Sequence, residues 1–374
     1  MKSFRLRVAG LLFLGGSLLP AGVFAAAPKV DLFKAKQEAE SRGYIFEVSR
    51  DDVLARAKKE GQLRVLSGLD RNSIKPVSEA FRKKYPFLDF NVEEITGTDA
   101  NQRFLLELKA GRNSGWDASH LSVDSLNEYP PYLKRFDLFG MAQQGILNIP
   151  AQVINPVQRN VIAVGSNLQV VAYSKTAFAE EKIPNTWEGF LEPQFKGRKF
   201  LADIRPTEIA ALVPAWGLEK TLEFARKLGA QQPVWVRGSA PLVRVAAGEY
   251  SVFIGPNFTS VMRFLKKDPA GGLAYKILQP VPTRLSDATA ILATAAHPYA
   301  ALLWLDFLSS PEAQKIIDEN EPYGASVFAS GSAQEKVTRG KKLSVVNWDH
   351  FPKMPEYQAK VVEAYGFPKA EKTP

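Results

Sequence analysis

The chain of 374 residues contains no cysteine, and this absence excludes several kinds of chemistry. Without thiols the protein has no disulfides, no cysteine nucleophile and no cysteine for the attachment of a lipid anchor. Small exported domains often depend on disulfides, but a chain of this length can bury enough apolar surface to fold without them. The composition is therefore compatible with an exported protein that no lipid tethers to a membrane.

Histidine is almost as rare, and the signatures of common enzymes are missing. The three histidines, His120, His297 and His350, share no local motif. The sequence also lacks a G-x-S-x-G nucleophile elbow, an H-E-x-x-H motif and a phosphate-loop lysine motif. A catalytic pair from distant segments stays open, for example Asp124 with Asp203, since catalytic groups can meet in space. The residues favour a protein that is not an enzyme and that uses no cofactor or metal.

Long apolar runs are confined to the first 25 residues. Lys2, Arg5 and Arg7 form a positively charged start, an apolar run follows over residues 8–19, and small residues precede Ala26. This order predicts a secretory signal peptide that is cleaved after residue 25. The alternative is a membrane anchor, but the run is short for one. No later segment reaches the ~20 apolar residues of a spanning helix, so we expect a soluble protein in a Gram-negative periplasm.

The positive charge of the chain is mild and dispersed. The formal net charge is +9, and three of the positive charges lie in the expected signal peptide. Basic residues cluster only briefly, as at residues 82–84 and 266–267. Nucleic-acid-binding proteins usually concentrate such residues on one element. We therefore expect no nucleic-acid partner, and the surplus charge weakly indicates an anionic ligand.

Segments with the period of a helix alternate with short apolar strands. Ser49 and Gly61 bracket a helix as its N-cap and C-cap, and a second helix begins near Ser73 with Pro76 in its first turn. We expect strands at 63–66, 88–92, 168–173, 198–202 and 250–254, and further helices at 207–216, 218–228, 239–248, 257–265, 298–308 and 311–319. This alternation predicts an α/β fold with largely parallel sheets, and the length predicts two domains.

Six short segments resemble those of a known family. In chain order they are 58–66 (KKEGQLRVL), 81–86 (FRKKYP), 186–193 (TWEGFLEP), 195–198 (FKGR), 246–250 (AAGEY) and 307–314 (FLSSPEAQ). Together they resemble bacterial extracellular solute-binding proteins of the ferric-iron-binding-protein type. Each motif is short, but the six occur in the family's order across residues 50–330.

The resemblance implies a type II periplasmic-binding-protein fold, in which crossing hinge strands join two α/β lobes and a ligand cleft lies between them. It places an N-terminal arm at 26–48, lobe 1 at 49–165 and 286–374, and lobe 2 at 166–285. The chain would leave the first lobe near residues 166–173 and return near residues 285–294. The last helices would then pack on the first lobe.

Ligand-binding residues are expected in the loops after the strands, because ligands of open α/β sheets bind beyond the carboxyl ends of strands and near helix N-termini. The candidates in the first lobe are Ser67, Gly68, Asp70, Thr96, Gly97, Thr98, Asn101, Ser122 and Asp124. Those in the second lobe and the returning segment are Asp203, Arg205, Thr207, Arg237, Ser239, Asn257 and Tyr323. For a Ser, Thr or Asn before a helix, a backbone cap is the alternative interpretation. Arg205 and Arg237 lie beside helix starts and together suggest a fork-shaped clamp for a carboxylate or phosphate.

The family name points to ferric iron, but one loop departs from the family's pattern. Its iron binders carry an adjacent tyrosine pair after the strand that residues 250–254 resemble, where this chain has Pro256, Asn257 and Phe258. Ferric iron needs anionic oxygen ligands, which these side chains do not offer. Tyr323 is a lone tyrosine in the sequence pattern. We therefore expect a small organic or inorganic anion, with ferric iron as an alternative.

The resemblance implies the substrate-binding component of an ABC importer. Such a protein would be a monomer that captures its ligand by closure of the two lobes and presents the closed form to a membrane permease. A sensor protein that feeds a histidine kinase or chemoreceptor would have the same fold, so the residues leave this alternative open. Turnover of the bound ligand would instead identify an enzyme.

Overall fold

The computed structural model describes residues 32–112, 115–197, 200–268 and 271–367, so the expected signal peptide lies outside the described residues. The helices are α1 (Leu32–Ser41), α2 (Arg50–Glu60), α3 (Arg71–Lys84), α4 (Thr98–Lys109), α5 (Leu138–Gln143), α6 (Thr207–Ala210), α7 (Val213–Trp216), α8 (Leu218–Ala230), α9 (Leu242–Ala246), α10 (Phe258–Lys267), α11 (Pro298–Leu308), α12 (Pro311–Asn320), α13 (Ala333–Thr338) and α14 (Met354–Ala364). The strands are β1 (Gln62–Ser67), β2 (Asp89–Glu94), β3 (Ala118–Leu121), β4 (Val161–Ser174), β5 (Phe200–Asp203), β6 (Val234–Val236), β7 (Val252–Asn257), β8 (Leu273–Lys276), β9 (Val281–Ile291) and β10 (Leu343–Val346).

Helix α2 has the two caps that the sequence predicts. The Ser49 side chain accepts a hydrogen bond from the backbone N–H of Asp52 at 3.1 Å, which satisfies one of the free donors of the first turn. Gly61 ends the helix in the left-handed region, at φ 66°, where a side chain would be strained. Local chemistry alone is therefore sufficient to set both ends of this helix.

Helix α3 begins earlier than the sequence predicts. Asp70 is its N-cap and accepts from the backbone N–H of Asn72 at 2.9 Å, so the helix already includes Arg71. Pro76 consequently lies inside the helix rather than in its first turn. The prediction from Pro76 was wrong because the aspartate provides a stronger start signal upstream.

The first sheet is parallel at its outer strands. β1 pairs with β2 along its full length and with β3 through Val65 and Leu66. β3 then pairs with β9 in the antiparallel sense. Because parallel strands end at the same edge of a sheet, the loops after Ser67, Glu94 and Leu121 lie side by side.

Two long strands cross between the halves of the molecule. β4 and β9 pair in the antiparallel sense from Val161 opposite Ala290 to Leu168 opposite Thr283. β4 then continues into the second sheet, where it pairs with β7 and β8. The second sheet is completed by β5, which is parallel to both β7 and β6. The structure thus contains the crossing strands that the fold class requires.

Residues near the chain ends pack differently from the division that the sequence suggests. α11 and α12 pack on α2 and α3 of the first lobe, whereas α14 packs on α6 and α8, and β10 pairs in parallel with the first residues of the hinge strand β9. The described part of the arm belongs to the first core, since Ala39 and Phe46 are buried there. We therefore define the first lobe as α1–α5, α11, α12, β1–β3 and the adjoining halves of β4 and β9. The second lobe is α6–α10, α13, α14, β5–β8, β10 and the other halves of these strands.

Aromatic side chains organise the first core. The rings of Phe81 and Trp304 meet edge to face at 5.0 Å between centroids, and Phe90 lies 4.9 Å from the same indole. All three side chains are buried. These contacts join α3, β2 and α11, so the rigid first lobe holds the β1 and β2 loops in fixed positions.

Candidate functional site

A polar cavity of about 270 Å³ lies where the carboxyl edge of the first sheet meets the hinge strands. The residues that line it come from the β2–α4 segment, from β3 and its following loop, and from the crossing strands. They are Gly97, Asn101, His120, Ser122, Val123, Asn167, Arg284, Leu285, Ser286 and Asp287. The cavity thus occupies the position at which an open α/β sheet binds ligands.

His120 enters this cavity because Gly68 leaves room for its ring. A Cβ atom at residue 68 would lie 2.3 Å from His120 Nδ1. Burial lowers the pKa of His120 below its usual value, and the nearby Asp287 carboxylate opposes this effect. The Nδ1 atom is buried and has no hydrogen-bond partner among the described residues. A neutral imidazole thus lies against the cavity.

Asn101 of α4 is oriented by the backbone at the start of its own helix. Its Nδ2 donates to Gly97 O at 2.8 Å. Asn101 as a whole residue is buried, with 6% of its surface exposed. Its Oδ1 is buried and has no partner in the described part of the chain. Because an unpaired buried acceptor is unfavourable, this amide is a place where a ligand or an ordered water can bind.

Arg284 is the cation of the cavity. Its Nη2 donates to Asp124 Oδ1 at 2.9 Å, and its guanidinium carbon lies 5.7 Å from the centre of the Phe351 ring. The Nε atom is buried without a partner among the described residues. The Arg284 side chain is 22% exposed, whereas that of Asp124 is 82% exposed, so water weakens the ion pair from the Asp124 side.

Asp287 supplies a carboxylate to the same cavity from an unusual backbone position. Its φ is 54°, in the left-handed region that few residues other than glycine adopt. The Ser286 hydroxyl donates to Asp287 Oδ2 at 3.0 Å. A Cβ atom at Gly165 would lie 2.8 Å from that oxygen, so the glycine is required for the close approach of β4. The backbone strain is of the kind found at binding sites.

The second lobe faces Arg284 with a second carboxyl group, Glu208 of α6. Burial, and next the negative charge of Asp203, raise the pKa of Glu208 to about 8, against the opposing charges of Arg205 and Arg284. Its Oε2 is buried and unpaired within the described ranges. At neutral pH the Glu208 carboxyl is therefore mostly protonated and adds little negative charge near Arg284.

Of the sixteen candidates from the sequence, the structure places Gly97, Asn101 and Ser122 in the cavity lining. Gly68 contacts His120, and Asp124 pairs with Arg284, both at the edge of the cavity. Ser67 accepts from the backbone N–H of its neighbour Leu69 at 3.3 Å. Thr96 lines another pocket, on the outer side of α4, and the side chain of Thr98 lies outside the described part of the chain.

The two arginines of the predicted clamp lie in different surroundings. Arg205 is already bound by Asp203, with its Nη2 2.6 Å from Oδ2 and its Nε 3.1 Å from Oδ1. The Asp203 carboxylate also accepts from the backbone N–H of Gly238 at 3.1 Å. Arg237 is exposed to solvent. Arg205 therefore neutralises a buried aspartate in its own loop, and its clamp with Arg237 stays a prediction.

The remaining candidates serve the backbone or other contacts. Asn257 caps α10 by accepting from the backbone N–H of Thr259 at 2.9 Å, and the Thr207 hydroxyl lies 3.4 Å from Gln358 Nε2. Ser239 lines a separate pocket of about 230 Å³ between α9 and α10. Tyr323 is not isolated, since its ring and that of Tyr275 on β8 both pack against Phe258.

Asp70 takes part in a bridge between the lobes. Arg263 of α10 lies 2.6 Å from Glu321 Oε1 and 3.5 Å from Asp70 Oδ2. Asp70 is the N-cap of α3 in the first lobe, while α10 belongs to the second. The bridge thus connects the two lobes next to the β1 loop.

Sequence reasoning missed five polar cavity residues, namely His120, Asn167, Arg284, Ser286 and Asp287. All five lie within strands rather than in loops. The polar residues of the 281–291 segment were a usable signal, because Arg284, Ser286 and Asp287 interrupt an otherwise apolar strand. In the described ranges, no group of three or more His, Asp or Glu side chains is placed to hold a metal ion, and no helix is long and apolar enough to cross a membrane.

The fold is similar to that of solved periplasmic binding proteins. The ferric iron-binding protein A of Mannheimia haemolytica, in an open conformation, superposes with a TM-score of 0.65 at 18% identity and covers 83% of this chain and 100% of its own. The Trichodesmium protein IdiA (FutA), in complex with iron and citrate, gives a TM-score of 0.62 at 19% identity, with 82% and 100% covered. The substrate-binding protein of an ABC transporter from Agrobacterium tumefaciens gives 0.56 at 18% identity, with 80% and 95% covered.

These similarities confirm the two-lobed α/β fold with crossing hinge strands that the sequence predicts. At such identities they show the fold alone. No curated protein matches the chain. The family model of the bacterial extracellular solute-binding proteins matches residues 131–353, more than half of the chain. The chain belongs to the family of bacterial extracellular solute-binding proteins.

Proposed function

We propose that this protein captures a small solute with an anionic group in the cavity around Arg284 and delivers it to an ABC-type importer. The observation that carries the proposal is that Arg284 lines the cavity while its one ion-pair partner among the described residues, Asp124 of the first lobe, is largely exposed. Asp124 is largely exposed, and Glu208 is mostly protonated at neutral pH. An anion that enters the cleft can therefore replace Asp124 as the partner of the guanidinium.

Lobe closure is the proposed capture step. Arg284 lies on β9 and pairs with Asn167 of β4. At this register β9 passes from one sheet to the other. A ligand bound there contacts the hinge and the first lobe, and closure brings α6 and α10 of the second lobe toward it. Ligand contacts that exist only in the closed form shift the equilibrium toward that form.

The cellular setting is proposed from the N-terminal sequence and the family. The pattern of residues 1–25 supports secretion with cleavage of a signal peptide, and the absence of cysteine leaves no site for a lipid anchor. The mature chain would then act in the periplasm as a monomer that binds its ligand without converting it. The partner would be a permease that recognises the outer faces of the closed lobes.

A thermal-shift screen of the mature protein tests this function. The panel contains carboxylates, phosphates, phosphonates, amino acids, sugars and ferric citrate. A ligand at about 100 times its dissociation constant adds about 2.7 kcal/mol to the free energy of unfolding, which gives a clear shift. We expect ligands with an anionic group to stabilise the protein, and unchanged ligand recovered after incubation. Stabilisation by neutral sugars alone would contradict the proposal.

Ferric iron is the second candidate, and one contact favours it. Tyr275 and Tyr323 both pack against the ring of Phe258, so two phenol groups lie near each other although the residues are distant in sequence. Both similar structures named for iron share only the fold with this chain. A visible absorption band on addition of ferric citrate, lost in Tyr323→Phe, would favour iron over the organic anion.

A further inference from the structure

The cavity contains two fixed charges of opposite sign. Arg284 and Asp287 both line it, and both belong to the hinge strand β9. The only carboxylate within ion-pair distance of Arg284 in the described ranges is the exposed Asp124. No Lys or Arg of the described residues lies within 4.0 Å of the Asp287 carboxylate. Each charge thus lacks a permanent buried counterion inside the cavity.

His120 does not compensate the charge of Asp287. Burial favours the neutral imidazole, because water cannot solvate the cation there. The Ser286 hydroxyl donates a neutral hydrogen bond only. Asp287 therefore presents a negative charge to whatever occupies the cavity.

The position of Asp287 is built into the fold. The backbone at Asp287 is left-handed, with φ 54°, and its carboxylate lies so close to Gly165 that a Cβ atom there would be 2.8 Å from Oδ2. Such a conformation is retained only when the surrounding structure compensates for its strain. A purely anionic ligand bound to Arg284 would lie in the same small cavity as this carboxylate and would be repelled by it.

We propose that the physiological ligand is a small zwitterion, whose anionic group binds Arg284 and whose ammonium group binds Asp287. This inference rests on the proposed function of the same cavity and specifies its ligand class. A cavity of about 270 Å³ lies near the lower end of the range of small-molecule pockets, so the ligand is small. Asn101, Ser122 and Asn167 provide neutral hydrogen-bonding groups around the two charges.

Matched ligand pairs test the zwitterion directly. Calorimetry of the full mature protein compares β-alanine with propionate, taurine with ethanesulfonate, and 2-aminoethylphosphonate with ethylphosphonate. Each pair differs only in the ammonium group, while the three anionic groups separate carboxylate, sulfonate and phosphonate recognition. We expect the amino member of at least one pair to bind about 30-fold or more tightly than its partner.

The variant Asp287→Asn tests whether Asp287 is the residue that binds the ammonium group of the ligand. Asparagine tolerates the left-handed backbone, so the fold is preserved and a thermal melt verifies it. We expect the amino ligand to lose most of its advantage, to within about threefold of its partner. Asp89→Asn, at an exposed aspartate of β2, is the matched control and should keep the full preference.

The outcomes separate this inference from the function on which it rests. Equal binding of the amino and desamino members would refute the zwitterion while leaving an anion-binding protein. A preference for the amino member that survives Asp287→Asn would refute the role of Asp287. Binding of none of the anionic ligands, together with binding of ferric citrate or a neutral sugar, would overturn both the inference and the proposed function.

Discussion

Arg284 Nη2 and Asp124 Oδ1 lie 2.9 Å apart and join the hinge strand to the first lobe, although the two residues are 160 positions apart in the sequence. One end of this ion pair is sheltered in the cavity and the other is open to water. The pair is therefore a weak contact that a ligand anion can replace, and its arginine is the first target for mutagenesis.

Replacing Arg284 should abolish ligand binding. Arg284→Gln removes the guanidinium that pairs with the ligand anion, and loss of one partner of a sheltered charge pair costs about 2–5 kcal/mol. We expect an affinity at least about 30-fold lower by calorimetry, with little change in the melting of the empty protein. Arg226→Gln, on the exposed face of α8, is the control and should bind normally.

Replacing Arg205 should affect stability rather than binding. Asp203 is buried, and its carboxylate receives the guanidinium of Arg205 at 2.6 Å. Arg205→Gln leaves that charge with fewer partners, so we expect a loss of about 1–3 kcal/mol in urea unfolding. Ligand affinity should stay within about threefold of the parent protein. A large loss of affinity with unchanged stability would support the arginine clamp that the sequence suggests.

The stability of the protein should fall as the pH rises toward 8. The ordinary pKa of a glutamate is 4.5, and burial raises that of Glu208 to about 8 in the folded protein. Between these two values the folded protein holds a proton that the unfolded chain releases, so the free energy of unfolding decreases with pH, by at most ~1.4 kcal/mol per pH unit. Urea unfolding from pH 5 to 9 measures this slope. Glu208→Gln should flatten it, and an unchanged slope in the variant would assign it to other groups.

Adding a single methyl group at Gly68 should disturb the cavity. A Cβ atom there would lie 2.3 Å from the His120 ring, which must then move. We expect Gly68→Ala to reduce stability by about 1–3 kcal/mol and to weaken ligand binding. The same substitution in a His120→Ala background provides the control, because the clash is absent there. An equal cost in both backgrounds would show that the ring contact is not the cause.

Arg263 should influence the balance between open and closed lobes. Its ion pairs with Asp70 and Glu321 connect α10 to the first lobe, but its side chain is 50% exposed, so the bridge contributes about 0–1 kcal/mol. Arg263→Gln should therefore lower ligand affinity by up to about fivefold. Small-angle scattering should show a larger radius of gyration for the empty variant. An unchanged radius and affinity would mean that the bridge does not bias closure.

Some elements of the fold were predictable because local chemistry specifies them. The caps Ser49 and Gly61 gave correct bounds for α2, and Asn257 caps α10 as predicted. By contrast, the sequence contains no clear signal for β3 or β6, which span four and three residues, or for the packing of α14 on the second lobe. Such elements are stabilised by neighbours that are distant in sequence, so no local pattern reveals them.

The candidate site was predictable at the ends of the first-lobe strands and not along the hinge. Gly97, Asn101 and Ser122 follow strands in the expected way. The sequence offered Arg205 as a ligand-binding residue and gave no sign that Asp203 folds back onto it. Whether the carboxylate that pairs with an arginine is buried, as Asp203 is, or exposed, as Asp124 is, depends on the packing of separate segments.

By itself the sequence determined the α/β alternation, the two-lobed fold and the solute-binding family, since these follow from periodicity, caps and short motifs along one stretch of chain after another. Only the tertiary structure decided which polar groups share a cavity. β3 and β9 pair directly, so His120 on one strand and Asp287 just beyond the paired residues of the other come together. Hydrophobic burial in both lobes holds these strands together, and it thereby places Arg284, Asp287 and His120 around one space that no local pattern describes.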